Sequence, residues 1–224
     1  FLNTFLLNNY FSYLFFILLI ASLVNGFNII DGCNGIALSA SITAMLSILF
    51  IIDMHGIFNP FRDSIVFITL TYFIMFIFNY PFGKIFLGDS GAYFIGWTSI
   101  IVSIFSLNQY DLPSISFLLL FFYPLFEVFF SFLRKYFFEN SSPFMPDNKH
   151  LHLLIYRYLS KIFKSNLQAN SLVIFFITLL NVPNVFCFHY FFGNELYYLF
   201  SITLGSIFYI TLYIYFYKKV IEIE

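Results

Sequence analysis

Seven predominantly apolar runs follow one another along the chain, at 10–24, 36–52, 64–78, 91–107, 114–133, 170–188 and 196–217. A helix that crosses a bilayer needs roughly 20 such residues, so several runs sit near the lower limit and their ends are blurred. Only 9% of the 224 residues are charged, against 61% hydrophobic. So little charge cannot cover the surface of a soluble domain of this length. The sequence therefore predicts an all-α, polytopic integral membrane helix bundle, with about seven spanning helices.

The runs are separated by turn-rich breaks: Asn25-Gly26, His55-Gly56, Asn59-Pro60, Tyr80-Pro81-Phe82-Gly83 and Gly193-Asn194. No internal repeat and no soluble domain interrupts them. Residues 1–224 read as a single transmembrane domain, with one long, polar and basic loop at 134–169 outside the bilayer. The first residue is Phe1 and residues 1–10 hold no basic n-region, so the first run reads as a spanning helix and not a cleaved signal peptide. The chain is expected to be the C-terminal part of a longer one. Its 37 Phe and 17 Tyr suit lipid-facing helices and need no stacking role, and no nucleic-acid partner is expected. Cys33 and Cys187 fall on opposite predicted faces and offer neither disulfide nor metal-site spacing.

Counting spans puts Lys84, Arg134, Lys135, Lys149, Arg157, Lys161, Lys164, Lys218 and Lys219 on one side of the membrane and Arg62 alone on the other. Basic residues accumulate on cytoplasmic loops, so the first group is expected to be cytoplasmic. Three polar clusters that hydropathy does not explain share that side. They are Asn28 to Gly35 (with Asp31-Gly32-Cys33-Asn34-Gly35), Lys84 to Gly91 (with Gly88-Asp89-Ser90-Gly91), and Ser142 to His152 (with Pro146-Asp147 and Lys149-His150-Leu151-His152). One shared site is the simplest reason for their agreement.

Each cluster suits phosphate chemistry. Asp31 and Asn34 are three apart, and a helical turn would put both on one face. Asp89 stands among glycines at a helix start, where free N–H groups can hold phosphate oxygens. Mg2+ takes one or two carboxylates plus substrate phosphates, and Asp89 is the expected ligand. His150 and His152 open an amphipathic segment (Leu151, Leu154, Ile155, Tyr158, Leu159, Ile162) expected along the membrane surface. There they would donate to a diphosphate, with Lys149 and Arg157 adding positive charge. Taken singly, each residue also has a plain explanation: Asp31 or Asp89 as a helix cap, Asp147 as a turn residue, the histidines as interfacial, and Arg134 and Lys135 as membrane anchors. Glu127 stands apart. A carboxylate inside an apolar run is functional or paired by default, and Pro124, one turn earlier, would kink the helix and free a carbonyl.

Together the clusters resemble the motifs of the polyprenyl-phosphate N-acetylhexosamine-1-phosphate transferase family, relatives of phospho-N-acetylmuramoyl-pentapeptide transferase. The family's Asn…Asp-Gly-x-Asp-Gly looks like Asn28 and Asp31 to Gly35, its Lys-x-Phe-x-Gly-Asp-x-Gly like Lys84 to Gly91, and its Ser-Pro-Phe-x-Pro-Asp-x-x-His-x-His-His like Ser142 to Leu153. An acidic residue after Pro-x-x in the preceding helix resembles Pro124-Leu125-Phe126-Glu127. The resemblance runs over 25–219. It implies transfer of a sugar-1-phosphate from a UDP-sugar to polyprenyl (undecaprenyl) phosphate, releasing UMP, at the cytoplasmic face of a bacterial inner membrane. It implies Asp31, Asp89, His150 and His152 as catalytic residues, Asn28, Asn34, Lys84 and Lys149 as substrate-binding, and Asp89 on Mg2+ or Mn2+. The implied partners are the UDP-sugar, the lipid and the membrane, with a homodimer left open. Three departures stand out: Asn34 replaces the motif's second Asp, Leu153 replaces its last His, and the family's adjacent Asp-Asp pair occurs nowhere in the chain. The 224-residue piece is therefore expected to be inactive alone. Proton-coupled secondary transport is the rival reading, since an intramembrane Glu, glycine-rich breaks and histidines also suit it.

Overall fold

The computed structural model describes residues 9–55, 61–143, 145 and 147–223. Gly56, Asn59 and Pro60 of the expected breaks, and Phe144 and Pro146 of the third cluster, lie outside these residues, as do 1–8 of the segment read for a signal peptide. Among the described residues every regular element is a helix. The order is α1 (Asn9–Ile30), α2 (Ile36–His55), α3 (Arg62–Asn79), α4 (Gly88–Gln109), α5 (Ile115–Leu120), α6 (Phe122–Leu133), a π-helical turn (Arg134–Phe138), α7 (Leu151–Ile162), α8 (Asn166–Tyr190) and α9 (Glu195–Ile223).

Helices α2, α3, α4, α8 and α9 are long and apolar enough to cross a membrane, and α1 adds a shorter apolar stretch, Phe16–Ile30. Their ends carry ordinary helix chemistry. Ser165 caps α8 by accepting from the Gln168 N–H, and Asn194 Oδ1 accepts from the Leu196 and Tyr197 N–H groups at the start of α9. Such caps satisfy N–H groups that have no partner within the helix.

The run read as one span at 114–133 is two helices. The chain leaves helical geometry at Phe121 (φ −114°, ψ 31°) and restarts as α6. Pro124 explains the break: its ring would clash with the carbonyl four residues back, whereas in a first helical turn its missing N–H costs nothing. Restarting the helix at Phe122 puts Pro124 in that first turn and carries Glu127 inward.

Packing groups the helices around α1 and α9. Helix α1 lies on α4 and α6, α2 on α3 and α4, and α9 on α5, α7 and α8. Contact between α1 and α4 is close because Gly96 has no side chain: a Cβ there would meet the Phe27 ring at 2.9 Å. Helices α6 and α9 are instead spaced by rings, with Phe126 and Phe130 edge-on to Tyr209 (centroids 4.8 and 5.2 Å) and Phe130 to Tyr213 (4.7 Å). The amphipathic segment expected along the membrane surface, α7, buries Leu151, His152, Leu154, Ile155 and Leu159 against α8 and α9. A stripe of that width is satisfied as well by protein as by lipid.

Candidate active site

Residues 31–35 do not form the helical turn expected for Asp31 and Asn34. They bridge the end of α1 at Ile30 and the start of α2 at Ile36, and the two side chains go separate ways. Asn34 turns its amide to the Pro81 carbonyl (3.3 Å) in the α3–α4 loop. Its backbone N–H donates to Asn170 Oδ1 at 2.8 Å, and the Gly35 N–H donates to Asn79 Oδ1 at 2.6 Å. Asn79 in turn donates to the Ile85 carbonyl (2.9 Å), and Ser171 donates to Pro81 O (2.8 Å). Two buried or half-buried asparagines from α3 and α8 thus hold the first cluster against the second, satisfying backbone groups that a turn leaves open.

Asp31 is half-buried, and Asp89, exposed in the first turn of α4, is near enough for its charge to act on Asp31. Burial, and then the neighbouring Asp89 carboxylate, push the Asp31 pKa up to about 7. Neither carboxylate has an ion-pair partner among the described residues. Two neighbouring acids with no ion-pair partner form an incomplete charge set, which a hard divalent cation with oxygen ligands would complete. The described residues hold no group of three His, Cys, Asp or Glu able to enclose a metal by themselves. The set therefore fits Mg2+, which keeps waters and phosphate oxygens as its other ligands, and not a fully protein-ligated ion. Asn28 lies on the same side, its amide donating to the Tyr93 hydroxyl at 3.1 Å. Lys84 is exposed, with its ammonium 5.9 Å from the centre of the Phe82 ring.

The third cluster arrives from the other side. His152 is fully buried, and its Nδ1 lies 2.9 Å from the Tyr123 hydroxyl. Burial pushes its pKa down to about 4, so the ring is neutral at pH 7. Its Nε2 faces Gly32, where any Cβ would sit 2.8 Å away. Only glycine lets the first cluster pass this ring. His150, the residue before α7, lies parallel to His152 with centroids 5.8 Å apart. Its Nδ1 is 3.0 Å from Glu127 Oε1. The other oxygen, Oε2, accepts from the Tyr209 hydroxyl (2.8 Å) and the Leu151 N–H (3.3 Å).

A buried ionic network folds the loop before α7 back onto the end of α6. Arg134 reaches Glu139 (2.7 Å) and Asp147 (2.8 Å), and Lys135 reaches Asp147 (3.2 Å) and the Met145 carbonyl. Lys149 pairs with Glu139 (2.8 Å), and its N–H donates to Asp147 Oδ1 (2.9 Å). Burial alone would raise the Asp147 carboxyl; the Arg134 hydrogen bond and the Lys149 N–H outweigh it and hold the pKa at about 2. Arg134 and Lys135 are thus buried partners of Asp147, beyond the anchoring role open to them in the sequence.

Of the expected residues, Asn28, Asp31 and Asp89 gather on one side of the 31–35 turn, with His152 against its back and His150 beside His152. Asn34 and Lys149 have their side chains engaged within the protein, and Lys84 stands at the edge. Sequence reading missed Asn79, Asn170, Tyr123 and Tyr209. Asn79 and Asn170 carried a faint signal as polar residues at span ends; the two tyrosines were hidden among 17.

A family model, "Glycosyl transferase family 4", matches residues 1–107 and so covers the first two clusters. The undecaprenyl-phosphate alpha-N-acetylglucosaminyl 1-phosphate transferase of Thermotoga maritima is 30% identical over 147 residues, 66% of this chain and 44% of that protein. A probable undecaprenyl-phosphate N-acetylglucosaminyl 1-phosphate transferase of Bacillus subtilis is 30% identical over 139 residues, 61% of this chain and 38% of its own. The chain thus spans less than half the length of these relatives. No solved structure matches it. The chain is thus similar to glycosyl transferase family 4 over residues 1–107, and over 147 and 139 residues to two proteins named as undecaprenyl-phosphate N-acetylglucosaminyl 1-phosphate transferases.

Proposed function

We propose that the protein transfers an N-acetylhexosamine-1-phosphate from a UDP-sugar to a polyprenyl phosphate at the cytoplasmic face of a bacterial plasma membrane. The observation that carries this reading is the meeting of the three clusters: Asn28 bonded to Tyr93 one turn beyond Asp89, Asn34 to the Pro81 carbonyl, and Gly32 against the His152 ring. In the reaction an oxygen of the lipid phosphate bonds to the β-phosphorus of the UDP-sugar. The bond from that phosphorus to the bridging oxygen breaks, and UMP leaves with the electron pair. Such transfers need positioning and charge stabilisation more than covalent help from the protein. Mg2+ held by Asp89 and Asp31 would supply neutralisation of the phosphate charge. Asn28 would bind and orient the nucleotide sugar beside Tyr93. His150, with Nδ1 engaged by Glu127, would donate from Nε2 to a diphosphate oxygen when both ring nitrogens carry a proton, and neutral His152 supports the turn that presents Asp31. Lys84, exposed at the edge, would draw the anionic substrates in.

A helix broken beside an intramembrane carboxylate is also a device of secondary transporters. Here, however, the Glu127 carboxylate is buried and engaged by three protein groups, and both relatives are named as transferases. The test is a transfer assay on native membranes containing the protein, with labelled UDP-N-acetylglucosamine, undecaprenyl phosphate and Mg2+. A lipid-linked sugar phosphate with stoichiometric UMP, reduced at least about 100-fold in Asp89→Asn, is expected for loss of such an electrostatic contact. Uptake of a solute into proteoliposomes without any lipid product would overturn the reading.

A further inference from the structure

Glu127 lies outside the region covered by the family match, as does Tyr209 eighty-two positions along the chain. Their geometry is nonetheless that of a holder for the histidine at the site. The carboxylate is almost wholly buried, with 1% of its surface exposed. Its hydrogen bonds are two directed donors on Oε2, the Tyr209 hydroxyl and the Leu151 N–H, and the His150 ring nitrogen Nδ1 on Oε1. An ionised carboxylate can only accept, so it requires the proton of the His150 ring to sit on Nδ1. The opposite ring nitrogen, Nε2, is then set toward the loop, 3.8 Å from Asp147 Oδ1 and beyond hydrogen-bond range. The Leu151 N–H is the first of α7, so the same carboxylate also satisfies one open donor at that helix start and fixes the backbone beside the ring.

We propose that Glu127, gripped by Tyr209 of α9, is a positioning residue that fixes the tautomer and direction of the His150 ring. The proposal rests on the transferase reading for its kinetic arm only. A sharp consequence follows from the donor count. In Glu127→Gln the Leu151 N–H still demands an acceptor at the Oε2 position, so the amide oxygen goes there. The NH2 group is left facing His150 Nδ1, which must then accept, and the ring proton moves to Nε2.

The experiment is nitrogen-15 NMR of histidine-labelled native protein in detergent micelles or nanodiscs, paired with transfer kinetics. His150 is assigned by comparison with His150→Gln. The native protein is expected to show a proton on His150 Nδ1, and Glu127→Gln to show Nδ1 unprotonated with the proton on Nε2. Tyr209→Phe, which removes one oxygen and leaves the ring packing in place, keeps the native tautomer. It is expected to lower kcat about 10-fold with KM for the UDP-sugar changed less than 2-fold, as expected when an orienting contact is lost. Glu127→Gln lowers kcat about 100-fold. An unchanged His150 signal in folded Glu127→Gln, or native kcat in both variants, would overturn the proposal. Absence of transfer by the native protein would count against the transferase reading alone, because the NMR comparison would still decide the positioning role.

Discussion

Asp147 shows how a residue with an ordinary turn role in the sequence becomes an ionic hub once the chain folds. It accepts from Arg134, Lys135 and the Lys149 N–H, and removing one partner of such a buried set leaves an uncompensated charge. Its folded pKa, about 2, lies below the ordinary aspartate value of 3.8. A depressed carboxylate contributes stability that is complete above its unfolded pKa and lost as pH falls through the folded one. The contribution is about 2 kcal/mol at neutral pH. Unfolding in detergent, followed from pH 5 to pH 2, should therefore show a loss between about pH 4 and pH 2 that is absent in Asp147→Asn. Arg134→Met should cost about 1.5–3 kcal/mol at neutral pH, since it removes a charged hydrogen bond to Asp147 while Lys135 still pairs with that acid.

The α1–α4 contact decides at the element scale where Asn28 and Asp31 stand relative to Tyr93 and Asp89. Gly96 faces Phe27 at a distance no Cβ tolerates, and Phe27 immediately precedes Asn28. Gly96→Leu should force the helices apart and cost about 1–3 kcal/mol, as overpacking does, measurable as a lower melting temperature. It should also weaken Mg2+-dependent protection against heat, because the paired acids ride on the two displaced elements. The break between α5 and α6 belongs to the same scale. Hydropathy saw one span at 114–133, and Pro124 signalled a kink. The restart at Phe122 was not legible, because where a helix resumes depends on what its new direction can bury.

For the whole molecule, the three clusters meet at one end of the bundle, and Arg62, paired with Asp53 at 2.7 Å, lies elsewhere at the loop between α2 and α3. We expect the cluster end to face the cytoplasm. In a variant with Cys33 and Cys187 replaced by Ala, a cysteine introduced at Lys164 should react with a membrane-impermeant maleimide only after the cells are permeabilised. One at Arg62 should react in intact cells. Labelling in the opposite order would reverse the orientation and move the site to the outer face.

The sequence by itself determined the membrane class and the helical architecture, and gave grounds to expect the three clusters on one side of the membrane. Those follow from hydropathy and charge bias, which are sums over local residues and survive any detail of packing. It also singled out Asp31, Asp89, His150 and Glu127, because a polar residue kept in so apolar a chain has few structural uses. Only the tertiary structure decided that Asn34 faces Pro81 and not the same side as Asp31, that α7 packs on α8 and α9, and that Tyr209 holds Glu127. Each is a contact between residues tens of positions apart. Hydrogen-bond partners over such separations are chosen by where whole helices settle, and no local pattern in the chain encodes that choice.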